Sequence, residues 1–365
     1  MLTILHTESS TGWGGQEIRI LEESLGMLRR GHRVIIVSPD KSNIFKRAEA
    51  AGIKVYPADF QKWNLLSFLR ISSLIRREGV DILNTHSSSD SWVATLAARL
   101  SVNRPRIIRT RHLSTPIGKS LFSHVIYNAL PDAIITTGEE IRQRMIRNNG
   151  FKAQRIFSIP TGVDLERFDP TRVTPAFKPK GFSIGTIGVL RSWKGHSYLI
   201  EAVPEILKSI PDAVFYIVGD GPQYRNIEGH IEKLSLKDKV VMVGHREDIP
   251  EVLASLDVVV HPSYANEGVP QSVLQALAME RPVVASDAGA VKEVVIDGKN
   301  GFLIQPKKPE EIAEKVIALY KNPELGKLFG KEGRMLVKRS YSFEMMLDKI
   351  EYLYGRLVNG RLSLI

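Results

Sequence analysis

What most constrains this chain is an alternation that runs through its length: short apolar runs of strand size, each followed by a polar turn and an amphipathic segment of helix size. In the first 160 residues the strand-like runs are 3–5, 33–37, 53–56, 82–84, 106–109, 133–136 and 156–159, with helix-length segments such as 16–30, 65–77, 92–100 and 139–147 between them. Strands that alternate with helices predict a doubly wound parallel sheet, whose ligands lie beyond the carboxyl ends of the strands. The pattern lapses through Pro170, Pro175, Lys178, Pro179 and Lys180, then restarts with runs at 182–188, 214–218, 240–243, 258–260 and 283–285. At 365 residues the chain exceeds one ordinary core. The expected division is a first Rossmann-like domain over 1–165, a linker over 166–180, a second such domain over 181–340, and a C-terminal helix in 341–365 that crosses back to the first.

Within the second half, the stretch from Asp257 to Met279 predicts a strand, a glycine turn and a helix. Val258 to Val260 read as a buried strand, and Gly268-Val269-Pro270 open a run with helical spacing of Val273, Leu274, Leu277 and Ala278. Such a turn offers unpaired N–H groups and the positive end of a helix dipole, which favours a phosphate; Pro270 suits the first turn because it has no N–H to orphan. Glu267 stands at the mouth of the turn and Gln275 follows in the helix, one placed for a sugar and the other for a ribose. Upstream, Arg191 and Lys194 precede Gly195 at a strand end, where two cations can hold a diphosphate whose charge rises as a bond to it breaks. The Arg191 and Lys194 pair also fits a solvated loop.

A glycine-rich turn, Ser9 to Glu17, follows the first strand and can approach a pyrophosphate closely. As a dinucleotide fingerprint it is incomplete, because Glu17 stands where the third glycine belongs; Asp40 at the end of the second strand keeps a redox reading open beside a purely structural turn. Cysteine nucleophiles are excluded by a count of Cys 0, and no spacing of His, Asp and Glu suggests a zinc or calcium site. No apolar stretch approaches the roughly 20 residues that cross a bilayer, and the expected location is cytoplasmic.

Gly188-x-Leu-x-x-x-Lys-Gly195, Gly219-Asp-Gly-Pro222, Glu267-Gly-x-Pro270 and Asn300-Gly-Phe-Leu303 resemble the motif series of the retaining nucleotide-sugar glycosyltransferases of the GT4 family. The Gly14-Gly15 loop and Pro160-x-Gly-Val-Asp164 match that family's first-half and linker motifs, so the resemblance covers nearly the whole chain. It implies the GT-B fold, two Rossmann-like domains facing each other across a cleft, with the nucleotide on the second, the acceptor on the first, and transfer without an essential metal or cofactor.

Residue by residue, the resemblance implies that Lys194 binds the diphosphate, that Glu267 contacts the transferred sugar, and that the N–H groups of Gly268 and Val269 approach sugar or phosphate. Arg246, in the loop His245 to Asp248, passes beside the base, and Gly188 and Gly219 belong to the donor loops. Retention is described there as front-face attack assisted by the donor phosphate, so no protein nucleophile is required. Two positions depart from the pattern. Val189 replaces the usual arginine, with Arg191 expected to supply the cation; Gln275 replaces the second glutamate and can hydrogen-bond ribose without charge. His112 matches a histidine facing the donor sugar, with His86 its rival.

Residues 1–180 hold 27 Lys and Arg against 16 Asp and Glu, whereas the remainder holds 23 against 24. A basic first half attracts a polyanion. Arg104, Arg106, Arg109, Arg111 and Lys119 lead into 117–130, where helical spacing sets Leu121, Val125 and Ile126 on one side; this reads either as a core helix after a basic loop or as a surface for anionic lipid. No nucleic-acid reading module is present. The expected activity is transfer of a sugar from a nucleotide diphosphate donor to a glycan or lipid-linked acceptor in bacterial envelope polysaccharide or lipopolysaccharide synthesis, peripheral to the membrane. The alternatives are a non-catalytic nucleotide-sugar-binding subunit or a sugar-nucleotide epimerase on the same fold.

Overall fold

A computed structural model of the chain describes residues 1–60, 65–112 and 115–360. It divides into two compact units, residues 1–161 with 346–365 and residues 162–345. The last five residues of the expected C-terminal element lie outside the described residues.

The first unit is built on β1 (Thr3–Thr7), β2 (Arg33–Ser38), β3 (Lys54–Pro57), β4 (Ile82–Thr85), β5 (Arg106–Arg111), β6 (Ala133–Thr136) and β7 (Ile156–Ser158). They form one sheet in the order β3-β2-β1-β4-β5-β6-β7, and every pairing is parallel. Because helices cover both faces of such a sheet, β1, β2, β4 and β6 are buried along almost their whole length. Leu5, Ile35, Leu83 and Ile107 pack into one cluster against Ile71, Leu74 and Ala97 of the neighbouring helices. The strand order reverses between β1 and β4, so the helices after these strands leave on opposite faces and a crevice opens above their carboxyl ends.

The second unit repeats the plan with β8 (Ser183–Ile187), β9 (Val214–Val218), β10 (Val240–Gly244), β11 (Val258–His261), β12 (Val283–Ser286) and β13 (Gly301–Ile304), in the order β10-β9-β8-β11-β12-β13. Its switch point lies between β8 and β11. The proline-rich stretch packs onto this unit: Phe168 is buried, the Ala176 N–H donates to Glu251 O, and Phe177 stacks on Tyr216.

A helix at Pro323–Leu336 has no counterpart in the sequence reading, because Gly326, Gly330 and Gly333 depress helix propensity. The glycines serve contact instead. A Cβ on Gly330 would meet Glu280 O at 2.2 Å, and one on Gly333 would meet Leu277 Cδ2 at 2.6 Å. The stretch 117–130 departs from a single amphipathic helix. Only Leu121–His124 is α-helical, followed by a π turn at Val125–Ala129; Leu121 and Phe122 are exposed while Ile126 and Tyr127 are buried.

Candidate active site

At the switch point of the second unit, the loop after β8 turns through Arg191 and Lys194 into the helix His196–Ser209. Gly195 sits at φ +73°, and a Cβ there would lie 2.1 Å from Pro262 O, so this turn and the loop after β11 are in backbone contact. That approach brings Lys194 and Glu267 together: Lys194 Nζ donates to Glu267 Oε2 at 2.8 Å, with both side chains 23% exposed. The Glu267 carbonyl accepts from Ala290 N–H at 3.0 Å, which holds the turn against residues 288–290. Among the described residues the N–H groups of Gly268 and Val269 have no backbone partner. Pro270 precedes the helix Gln271–Ala278 rather than occupying its first turn, and Gln275 is half-buried on that helix. The result is a cation, a carboxylate and two N–H donors around one turn, a set suited to a phosphorylated sugar.

The other second-unit candidates make contacts of their own. Arg191 lies over the Trp193 ring at 5.1 Å and lines a small pocket with His196, Gln223 and His230. Arg246 is clamped by both oxygens of Asp248, its Nε donating to Oδ1 at 2.7 Å. Gly188 and Gly219 pack on one another, since a Cβ on Gly219 would sit 2.0 Å from Gly188 O at φ +141°. Val189 is exposed. His261, at the end of β11, was not singled out by the sequence; it is buried, its Nε2 lacks a partner, and burial holds its pKa down at about 3.

In the first unit the carboxyl ends of β1, β4 and β5 gather three histidines. His6 Nδ1 is 2.9 Å from His86 Nε2, and His86 Nδ1 is 2.9 Å from His112 Nε2. The two sequence candidates therefore form one chain with a third ring. Behind His6 stand Glu23 and Arg19, both fully buried, and Tyr354, whose hydroxyl donates to Glu23 Oε1 at 2.9 Å and accepts from Asn84 Nδ2 at 3.0 Å. His6 was missed because a polar residue inside Thr3–Thr7 shows its partner only once β1 and β4 are neighbours.

Beside this chain, Asp90 accepts from Thr7 Oγ1 at 2.7 Å and from the N–H groups of His86 and Ser87. Burial, then the nearby Glu8 carboxylate, raises Asp90 to about 7. Glu8 accepts from Ser10 N–H, Gln16 and Ser87, and burial pushes its pKa up. Gly14 donates to Glu17 Oε2 at 2.9 Å, and nothing lies within 4 Å of a Cβ placed on Gly15. Among the described residues, no group of three or more His, Cys, Asp and Glu is arranged to hold a metal ion.

Residues 168–335 match the family described as Glycosyl transferases group 1, and residues 13–167 match Glycosyltransferase Family 4. Among curated relatives, the UDP-Gal:alpha-D-GlcNAc-diphosphoundecaprenol alpha-1,3-galactosyltransferase of Escherichia coli is 28% identical over 313 residues, 81% of this chain and 80% of that one. A glycosyltransferase structure from Rickettsia africae superposes with a TM-score of 0.88 at 23% identity, covering 98% of each chain. Anabaena HepE in complex with UDP-glucose superposes with a TM-score of 0.84 at 21% identity over 97% of this chain and 100% of that one. These likenesses, with the two parallel sheets, establish the α/β two-domain GT-B fold.

Proposed function

The chain belongs to the group 1 glycosyltransferases, and we propose that it moves a hexose from a nucleoside diphosphate sugar to a hydroxyl of a glycan or lipid-linked acceptor, with retention and without a metal or cofactor. The observation that carries this reading is the Lys194–Glu267 pair at the switch point of the second unit. A donor diphosphate takes the ammonium from Glu267, which frees the carboxylate to accept from sugar hydroxyls. Lys194 then neutralises charge on the departing phosphate, a preorganised contact that strengthens as the glycosidic bond breaks. The open N–H groups of Gly268 and Val269 receive the remaining phosphate or sugar oxygens, and Gln275 holds ribose as a neutral partner. The sugar class is drawn from relatives, UDP-Gal being the donor named for the Escherichia coli enzyme and UDP-glucose a ligand bound by HepE.

An anionic, membrane-borne acceptor suits the first unit. A cavity of 370 Å³ is lined by Arg111, Lys119, Arg144 and Arg147 with no carboxylate among its described lining residues, and exposed Leu121 and Phe122 follow in the chain. No helix among the described residues is long and apolar enough to cross a membrane, so attachment in this reading is peripheral. Envelope polysaccharide or lipopolysaccharide synthesis is the setting we infer.

Incubation with UDP-hexoses and a diphospholipid-linked sugar, with EDTA present, tests the reading. The expected product carries the same anomeric configuration as the donor by proton NMR. Inversion, or activity abolished by EDTA and restored by a divalent cation, overturns the corresponding part. A second reading, a nucleotide-sugar-binding subunit, is favoured by Gln275 in place of a carboxylate and by Val189; donors that bind by thermal shift without any turnover would establish it.

A further inference from the structure

The three hydrogen-bonded histidines form a directional device. Each of their two nitrogen–nitrogen contacts, both 2.9 Å, needs one N–H and one lone pair. Burial lowers the pKa of His6, His86 and His112, so all three rings are neutral near pH 7. A row of neutral rings joined in this way has two arrangements. In one, every ring carries its proton on Nδ1, each proton points from His6 toward His112, and His112 ends the row as a donor. In the other, every proton is on Nε2, and His112 ends the row with a bare Nδ1.

The far end of the row decides between them. His6 Nε2 is fully buried, has no hydrogen-bond partner, and stands 4.0 Å from Glu23 Oε1. A proton on that nitrogen is attracted by the carboxylate, whereas a lone pair there faces it repulsively. The remaining groups around Glu23 keep it an acceptor. Tyr354 donates to Oε1, its phenol held protonated by burial, and Arg19 Nε lies 3.7 Å from Oε2. His112 is partly exposed, and its Nδ1 makes no hydrogen bond among the described residues.

We propose that Glu23, through His6 and His86, fixes His112 as the Nε2–H tautomer, so that its Nδ1 offers an open lone pair to a sugar hydroxyl. Glu23, His6 and His86 are positioning residues, and the contact with sugar rests on the glycosyl-transfer reading above. The consequence is a preference for a sugar bearing a hydroxyl at that position, because an acceptor built into a site penalises the analogue that lacks the donor.

Long-range proton–nitrogen correlation spectra of the uniformly ¹⁵N-labelled full-length chain at pH 7.5 test the device without any substrate. The expected pattern is Nε2–H for His6, His86 and His112; an Nδ1–H or mixed His112 overturns it. In Glu23→Gln the amide can donate to His6 Nε2, so His112 should shift toward Nδ1–H and kcat should fall at least tenfold, with KM for the nucleotide sugar changed less than threefold. Because that variant leaves Arg19 buried beside a neutral group, His86→Phe is the companion: it cuts both contacts, leaves the Arg19–Glu23 pair intact, and should release His112 into a tautomer mixture. A merely structural role would lower the melting temperature of both variants while His112 stayed Nε2–H, and that result refutes the proposal. Failure of the glycosyl-transfer reading would show separately, as a wild-type chain with the expected spectrum and no turnover.

Discussion

Lys194 and Glu267 are each three-quarters buried and partnered with one another, which makes their separate contributions measurable. Removing one preorganised donor to a leaving group costs about 10² to 10³ in rate. Lys194→Ala should therefore lower kcat by that factor while the melting temperature moves little; unchanged turnover would remove Lys194 from the chemistry. Gln275→Glu should retain nucleotide binding by isothermal titration, since a carboxylate still accepts from ribose hydroxyls, and complete loss of binding would place Gln275 elsewhere. Histidines of the second unit predict a pH dependence. Burial first, then Lys194, depresses His196 to about 4, and His261 is held at about 3. Both groups have folded pKa values below the unfolded 6.5, so the unfolded chain binds more protons under acid conditions. The associated stability is complete above pH 6.5 and is lost as pH falls toward 4, at about 1.4 kcal/mol per pH unit for each residue. Urea unfolding between pH 7.5 and 4.5 checks this, with His261→Gln expected to lose one proton from the slope.

Among the elements, the turns carry the tightest requirements. Gly219 joins the ends of β8 and β9 with no room for a side chain, and its positive φ is one that L residues seldom adopt. Gly219→Ala should destabilise the second unit by about 2 kcal/mol or more, from strain and forced separation of the two loops. Thermal unfolding reads this directly, and a melting temperature equal to wild type would contradict the packing. The helix Phe343–Val358 anchors in the first unit through Tyr354 between Asn84 and Glu23, with Arg30 Nη1 donating to Glu351 Oε2 at 2.8 Å. Such strand and helix cores were legible from their apolar runs: β11 and the helix after it match the sequence reading to within a residue at most ends. Pro323–Leu336 was not legible, because its glycines are explained by what they touch rather than by helix propensity.

At the scale of the whole molecule, charge is the property with a direct experimental handle. The excess of 27 Lys and Arg over 16 Asp and Glu in residues 1–180, with four cations around one cavity, predicts binding to vesicles containing phosphatidylglycerol that weakens as salt shortens the screening length. Sedimentation at about 20 mM and about 500 mM salt should differ severalfold; no binding at low salt would exclude an electrostatic membrane contact. Composition and periodicity, read along the chain, determined the fold class, because alternating strand-length and helix-length apolar patterns leave few ways to bury both. They also located the loops that carry Lys194-Gly195 and Glu267-Gly268, since each sits at a strand end that the pattern marks. The pairing of Lys194 with Glu267 came only from the adjacency of β8 and β11, and the histidine row only from the adjacency of β1, β4 and β5. Residues 6, 86 and 112 share no local signal; parallel strands are neighbours across long crossovers, so the partner of a polar side chain is set by strand order, which periodicity does not encode.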